Sequence, residues 1–441
     1  MTSSRLGDST TQSSREPPPG SLDGEHARVA SNRVIFTLSL VLAVTGILFA
    51  LAAPVDLVTK GPFGWHIRQP AFWQGGIELA ALATLIGAAL YILQGWKRGL
   101  VVLVLCEIYA RNQGTDLAIL ISLFYYEGMA ALGTLILNRL DRNDFSDAER
   151  GMFGIALGIL TWSCIEWILS AIGPGSVRDL QIVAIVVLGA SLLALRRMPV
   201  LTCIFSHVGK RSLSGAVLGT FVCTIVLMLF AKASVNLIDF DAMWYGLRGD
   251  RVLVAAGSAF HGLGLVTAVH YVPQAYELLQ IPLNRTGSVT AILGLSIWCW
   301  VGLAICLYAI TERLRWSPKL RLWACALCLT IPAAMNVSIT AKGTLMAGMW
   351  VLFGVYALIR YRASPSWRWL MLALLFELAA TTYRESILIY AVLAALTVCV
   401  FLVANTLRQP HPVSGAGGVP SLQLLICFGL GSVLLFGLVT A

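Results

Sequence analysis

Apolar runs of about 20 residues recur along almost the whole chain, which is the length that one helix needs to cross a bilayer core about 30 Å thick. We count about thirteen such runs, starting near residues 34, 76, 99, 115, 151, 180, 213, 287, 320, 343, 367, 386 and 421. Apolar side chains make up 58% of the 441 residues and charged ones 12%, which excludes an ordinary soluble domain. The sequence therefore predicts an all-α, polytopic transmembrane helix bundle of about 12–13 spans.

The segment before the first run, residues 1–33, is rich in Ser, Thr, Pro and Gly and is too polar to bury a core. We expect it to be a disordered cytoplasmic tail. It is also too long and too polar to be the short basic head of a signal peptide, so the first run is kept as a span. The predicted organisation is this tail, N-terminal transmembrane helices in 34–232, an external loop in 233–286 that contains short juxtamembrane helices, and C-terminal transmembrane helices in 287–441.

The formal net charge of +9 does not indicate nucleic acid, because the basic residues lie in short loops between spans rather than on one face. They recur at alternate loops, which the positive-inside rule places in the cytoplasm. Parity then requires the runs near 99 and 115 to form a hairpin, although the run near 99 is short and contains Glu107. The basic positions are Lys97, Arg98, Arg196, Arg197, Lys210, Arg211, Arg313, Arg315, Lys319, Arg321, Arg360, Arg362 and Arg368.

The long loop on the opposite side begins with an unusual concentration of charge, NLIDFDAMWYGLRGDRVL, directly after a hydrophobic run. Carboxylates at the mouth of a membrane cavity are commonly functional, so Asp239 and Asp241 are candidates for catalysis or ligand binding. The alternative is that either residue only caps the start of a helix. The pair is also the candidate site for a divalent cation, although no cofactor is required by the sequence.

Two short helices are predicted within this loop. From Asp241, residues Trp244, Tyr245, Arg248 and Val252 share one helical face, and the two aromatic rings suit the headgroup level of a membrane. Such a helix could be no more than an interfacial anchor. The segment 273–279 predicts the second short helix.

The run DAMWYGLR, the Gly-Ser pair at Gly257 and Ser258, and the later Pro273 and Glu277 resemble the first outer loop of the type C polytopic glycosyltransferases. This superfamily includes the protein mannosyltransferases and the aminoarabinose transferases. Several members have the pattern Asp-x-Leu-x-Tyr-His-Leu-Pro here. Asp241, Met243, Tyr245 and Leu247 match it, whereas Gly246 and Arg248 replace the His and the Pro. A weaker match surrounds Lys342, where relatives often have an Asp that this chain lacks.

The resemblance covers roughly residues 233–400. It implies transfer of a sugar from a polyprenyl-phosphate donor to a glycan, lipid or protein acceptor outside a bacterial inner membrane, with membrane lipid and no nucleic acid as further partners. Asp241 would be the general base, and Asp239 would position it or a metal. The expected donor-phosphate ligands are Arg248, Arg251, Lys342 and Arg384. The expected substrate-binding residues are Trp244, Tyr245, His261, His270 and Glu277.

Several alternatives stay open at the level of sequence. An O-antigen ligase or polymerase also has one long outer loop, but its chemistry would depend on loop Arg and His. A transporter or lipid flippase would show broken helices with charges in paired halves. Arg384 could simply pair with Glu377 or Glu385. The carboxyl groups within spans, at positions 107, 127 and 166, could form a proton path or remain protonated and hydrogen-bonded.

Overall fold

The computed structural model describes residues 69–140, 145–208, 213–235, 247, 254, 257–258, 275–364 and 366–384. All regular structure in these ranges is helical, and they contain no strand, which confirms the predicted all-α class. The chain divides into two compact units, residues 1–78 and 79–441. Seven of the described helices are long and apolar enough to cross a membrane, or up to eight if one bent pair is a single span. The protein is therefore an integral membrane protein.

The helices begin close to the predicted positions. In chain order they are α1 Pro70–Ile92, α2 Gly95–Asn112, α3 Asp116–Leu140, α4 Asp147–Ile172, α5 Val177–Leu195, α6 Pro199–Val208, α7 Leu213–Val235, α8 Ala275–Gln280, α9 Val289–Arg313, α10 Pro318–Leu329, α11 Pro332–Ser338, α12 Thr344–Ala363 and α13 Trp367–Tyr383. A 3₁₀ turn, Ile281–Leu283, follows α8. The predicted short helix at 273–279 is confirmed as α8. The runs near 34, 386 and 421 lie outside the described residues.

The predicted pair of helices near 99 and 115 is present, whereas their two crossings of the membrane stay a prediction. Helices α2 and α3 are separate and in contact, and only residues 113–115 join them. Gly114 has φ +66°, a left-handed conformation that glycine adopts without steric cost. Helix α2 is nevertheless not among the long apolar spans, since its ends carry Lys97, Arg98 and Arg111.

Within residues 79–441, contacts between helices bring the helix ends and the connecting loops together in two separate groups. One group, which we call the basic end, collects residues 145–150, 308–321 and 356–369, and contains the bonds from Ser146 to Glu312 and from Arg360 to Glu149. The other group, the loop end, collects residues 170–181, 257–258, 275–286, 339–343 and 383–384. Here the Gly175 N–H donates to the Gly257 carbonyl at 2.9 Å.

Helix α9 is the central element of this unit. The buried share of its most apolar stretch is 89%, whereas the buried share of the corresponding stretch of α1 is 22%. It touches α3, α4, α7, α10, α11 and α12. Inside lipid, helices associate through close packing rather than through the hydrophobic effect. The contact between α3 and α4 is such a packing: a Cβ added to Gly158 would lie 1.8 Å from the Met129 carbonyl oxygen, and one added to Gly133 would lie 2.0 Å from that of Gly154.

One span is broken. Helices α10 and α11 meet at an angle of 62° across Thr330 and Ile331. Pro332 opens α11, and a proline both lacks an N–H and disfavours helical backbone at the residue before it. The break thus follows from the sequence IPAA, although the sequence analysis treated this run as one continuous span.

Candidate functional site at the loop end

The loop residues predicted to act in catalysis fall outside the described residues, and their roles stay predictions. These are Asp239, Asp241, Trp244, Tyr245, Arg248, Arg251, His261 and His270. Glu277, Lys342 and Arg384 are described, and all three belong to the loop end. The proposed cation site at Asp239 and Asp241 is likewise outside the described part. Within that part, no group of three or more His, Cys, Asp or Glu residues could hold a metal ion.

The backbones beside Lys342 and Arg384 touch each other. A Cβ added to Gly343 would lie 2.6 Å from the carbonyl oxygen of Tyr383 and 3.0 Å from the Cβ of Tyr276. The start of α12, the end of α13 and the short helix α8 therefore converge at this glycine. Lys342 precedes the contact and Arg384 follows it, and both side chains are half-buried. Lys342 and Arg384 are far apart in sequence, but they thus lie on neighbouring segments of the backbone.

The alternative pairing of Arg384 with Glu377 is not found. Arg384 makes no ion pair with any residue that the structure describes, and Glu377 packs instead against α12, where a Cβ added to Gly354 would lie 2.7 Å from its Oε1. Glu385, the other proposed partner, lies outside the described residues. Gly354 is eleven positions from Gly343, which corresponds to roughly 16 Å along a helix.

A cluster of aromatic and polar side chains lies fully buried next to α8. The Tyr125 hydroxyl donates to the Leu279 carbonyl at 2.8 Å and lies 3.2 Å from Glu166 Oε1, and it accepts a hydrogen bond from the Trp162 indole N–H. A hydroxyl has one proton, so it can serve only one of these two acceptors at a time. Helices α3 and α4 thereby hold the backbone of α8 through Tyr125.

A second set of hydrogen bonds ties α8 to the spans on its other side. The Tyr276 hydroxyl bonds to Ser296 on α9, whose own hydroxyl donates to the Thr340 carbonyl at 2.7 Å. Burial raises the pKa of Tyr276 well above its usual value, so this phenol stays protonated. The Tyr383 and Ser163 hydroxyls lie 3.1 Å apart and connect α13 to α4.

Some polar atoms of this region have no hydrogen-bond partner among the described residues. They are Glu166 Oε2, Ser170 Oγ, the amide nitrogen and oxygen of Gln280, and the indole nitrogens of Trp300 and Trp350. Glu166 is 0% exposed, and the ring of Trp350 lies 6.0 Å from that of Tyr383. Buried polar atoms without a partner are uncommon, and a functional role is one of the explanations for them. The arrangement can accept a hydrogen bond from, and donate one to, a polar group that enters from the loop.

The loop contacts this region through Gly257 and Ser258. Gly257 has φ +82°, and the Ser258 hydroxyl donates to the Ser170 carbonyl at the end of α4. Val254 is buried with Leu278 and Ile281. Gly257 and Ser258, which form part of the resemblance, therefore lie beside the C-terminal end of α4, the helix that carries the buried Glu166.

The other intramembrane carboxyl groups do not join this cluster. Glu107 is exposed on α2. Glu127 is buried and accepts hydrogen bonds from the backbone N–H groups of Val200 and Leu201, at 3.0 and 2.7 Å, so it caps α6. No continuous path links the three carboxyl groups in the described residues. Cys325 donates a hydrogen bond to the Ala304 carbonyl, as a small core residue would.

The sequence analysis missed Tyr125, Trp162, Ser163, Tyr276 and Tyr383. All but Tyr276, which lies in the predicted loop, belong to apolar runs, and a lone hydroxyl or indole in such a run is common in membrane helices. The available signal was Glu166 itself, because an ionisable residue within a span needs a partner.

No protein-family model, no curated protein and no solved structure matches this chain. The likeness to the type C glycosyltransferases therefore depends on the residues of the loop and of the run near Lys342. What those residues do is a proposal.

Proposed function

We propose that the protein is a polytopic glycosyltransferase that moves a sugar from a polyprenyl-phosphate-linked donor to an acceptor on the outer side of a bacterial inner membrane. Asp241 is the general base, and Asp239 positions it. The observation that supports this best is the convergence of α8, α12 and α13 at Gly343, which brings the backbones of Lys342 and Arg384 together at the loop end.

The reaction requires a negatively charged base for the acceptor and positively charged ligands for the donor phosphate. An acceptor hydroxyl is a poor nucleophile until a carboxylate takes its proton as the new C–O bond forms. At the same time the bond from the anomeric carbon to the donor phosphate breaks, and negative charge grows on the leaving phosphate. Cations placed beside that phosphate stabilise the transition state. Lys342 and Arg384 provide them from the spans, and Arg248 and Arg251 provide them from the loop.

The orientation follows from the charge of the loops. The exposed cations Arg139, Arg196, Arg313, Arg315 and Lys319 lie at helix ends opposite to the loop end. The positive-inside rule places these loops in the cytoplasm, so the loop end faces outwards. This is the side on which the family acts, and it puts the N-terminal tail in the cytoplasm.

Donor binding by the purified full chain tests the proposal. The probes are radiolabelled polyprenyl phosphates that carry a hexose or a pentose, presented in mixed micelles. We expect Lys342→Gln and Arg384→Gln each to raise the apparent donor KM about tenfold while the acceptor KM stays unchanged, because only the donor carries the phosphate. Arg178→Gln is the matched control on another helix of the loop end. If both variants bind donor as the parent does, the two cations have no part in the site.

The broken span supports a second candidate, a transporter of lipids or small solutes. Discontinuous helices are typical of transporter binding sites, and α10 and α11 form one. A transporter would move labelled lipid-linked sugar across a reconstituted vesicle without releasing polyprenyl phosphate. A glycosyltransferase would release it only when an acceptor is present.

A further inference from the structure

An apolar cleft lies between four helices and reaches the basic end at Tyr308. It encloses about 540 Å³ of empty space, including the part open to the surface, and lies between α6, α7, α9 and α10. Its lining is almost entirely apolar, and it includes Val222, Val301, Ile305, Tyr308, Leu322 and Leu329. Because α7 and α9 are membrane spans, this cleft lies among hydrocarbon rather than water.

The turn between α9 and α10 carries exposed cations, and it joins the segments that bring Tyr308 and Leu322 to the cleft lining. Arg313, Arg315 and Lys319 are exposed, and Lys319 shares a face of α10 with Leu322, which lines the cleft. The nearby Trp316 and Trp323 are 40% and 64% exposed, as expected of rings at a membrane interface.

A fourth cation fixes this turn to the cleft wall. Arg321 donates to Glu312 Oε1 at 2.8 Å, and its guanidinium carbon lies 5.7 Å from the centre of the Tyr308 ring. Glu312 also accepts from Ser146 on the neighbouring α4 side. Arg321 and Glu312 thus neutralise each other, whereas Arg313, Arg315 and Lys319 are exposed and make no ion pair within the part of the chain that the structure describes.

We propose that this cleft and turn form a binding site for an anionic membrane phospholipid, with a hydrocarbon chain in the cleft and the phosphate against Arg313, Arg315 and Lys319. Charge complementarity selects the occupant: an apolar channel alone would take any lipid chain, but three cations at its interfacial side favour a negatively charged headgroup. The site is separate from the proposed donor site, which lies at the loop end. It does not depend on the protein being a glycosyltransferase.

The test is a lipid titration of the detergent-purified full chain by native mass spectrometry, with phosphatidylglycerol and phosphatidylcholine of identical chains. We expect the parent to bind phosphatidylglycerol about tenfold more tightly. The triple variant Arg313→Gln, Arg315→Gln, Lys319→Gln should lose this preference and keep its affinity for phosphatidylcholine. The variant Val222→Phe should weaken both lipids, since its ring fills the cleft. Equal binding of the two lipids by the parent would overturn the proposal.

The matched control removes three exposed cations elsewhere, Arg111→Gln, Arg139→Gln and Arg368→Gln, and should keep the preference. Loss of the preference in this control as well would mean that only net charge matters, which contradicts a specific site. Folding is checked by thermal unfolding. If Val222→Phe does not fold, photocrosslinking of the parent with diazirine-bearing phosphatidylglycerol decides. The label should appear on peptides of α7, α9 and α10, and a uniform distribution would refute the site.

Discussion

The basic end and the loop end differ in how a buried glutamate is paired. At the basic end Glu149 lies 3.8 Å from Arg360 and accepts a hydrogen bond from Tyr356, and the Arg360 guanidinium lies 4.8 Å from the centre of the Trp369 ring. At the loop end Glu166 is fully buried beside the neutral Tyr125 and has one oxygen without a described partner. Glu149 at the basic end is thus paired with a cation, whereas Glu166 at the loop end has no cation beside it among the described residues.

The difference indicates what each end is for. Removing one partner of a buried ion pair is costly, so such a pair mainly holds helices together. A carboxyl group within a membrane span that has no cation beside it is a candidate for a functional role. We therefore expect substitutions at the basic end to change stability, and substitutions at the loop end to change activity.

The largest effect should come from the packing that supports both ends. In Gly158→Ala the new methyl group would meet the backbone of Met129, which cannot move as a side chain would. We expect the free energy of unfolding in mixed micelles to fall by at least about 4 kcal/mol, beyond ordinary overpacking. Gly348→Ala is the control, since its nearest neighbour, Leu303, would lie at an ordinary 3.6 Å. Equal stability of the two variants would contradict the close contact of α3 and α4.

Arg360→Met should have the next largest effect. It leaves Glu149 buried without its cation, which we expect to lower the free energy of unfolding by about 3 kcal/mol. The rate of sugar transfer per folded molecule should not change, because the pair is remote from the loop end. Arg368→Met, an exposed neighbour at the same end, should cost less than about 0.5 kcal/mol. A slower rate in Arg360→Met with unchanged stability would reverse the assignment of this end.

Glu166→Gln should have the smallest effect on stability and a clear one on activity. The substitution keeps the shape and a hydrogen bond with Tyr125, so the free energy of unfolding should change by less than about 1 kcal/mol. We expect transfer per folded molecule to fall about tenfold, since an acid is removed beside the backbone of α8.

Glu149→Gln is the matched substitution at the basic end and should show the opposite pattern. Its stability should fall while transfer per folded molecule stays normal. If both Glu→Gln variants lose only stability, then the two ends do not differ in role.

Much of the fold could be predicted from the sequence, because the length and spacing of apolar runs are set by the bilayer. The runs near 115, 213 and 343 begin within two residues of α3, α7 and α12. The break between α10 and α11 was not predicted, since hydropathy averages over many residues and does not register the single Pro332. The turn at Arg196, with φ 53°, by contrast falls in a loop that the basic residues predicted.

Less of the candidate site could be predicted. The sequence identified Lys342 and Arg384 as two cations at span ends, but their adjacency depends on Gly343 and its contact with Tyr383. The sequence comparison near Lys342 noted only the missing Asp and predicted nothing from this glycine. The hydrogen bonds of Tyr125 and Tyr276 to α8 and α9 join residues far apart in the chain, and no local pattern encodes such pairs. The sequence therefore indicated residue types at the loop end and not their partners.

The most direct test of a catalytic loop end is the rate of sugar transfer from a lipid-linked donor by Asp241→Asn. This change keeps the shape of the side chain and removes its basicity, so we expect turnover to fall by about 10² or more with unchanged folding. A larger loss in Asp239→Asn would exchange the two roles. Normal transfer by both variants would contradict the account, and it would favour a ligase-type enzyme that depends on the Arg and His residues of the loop.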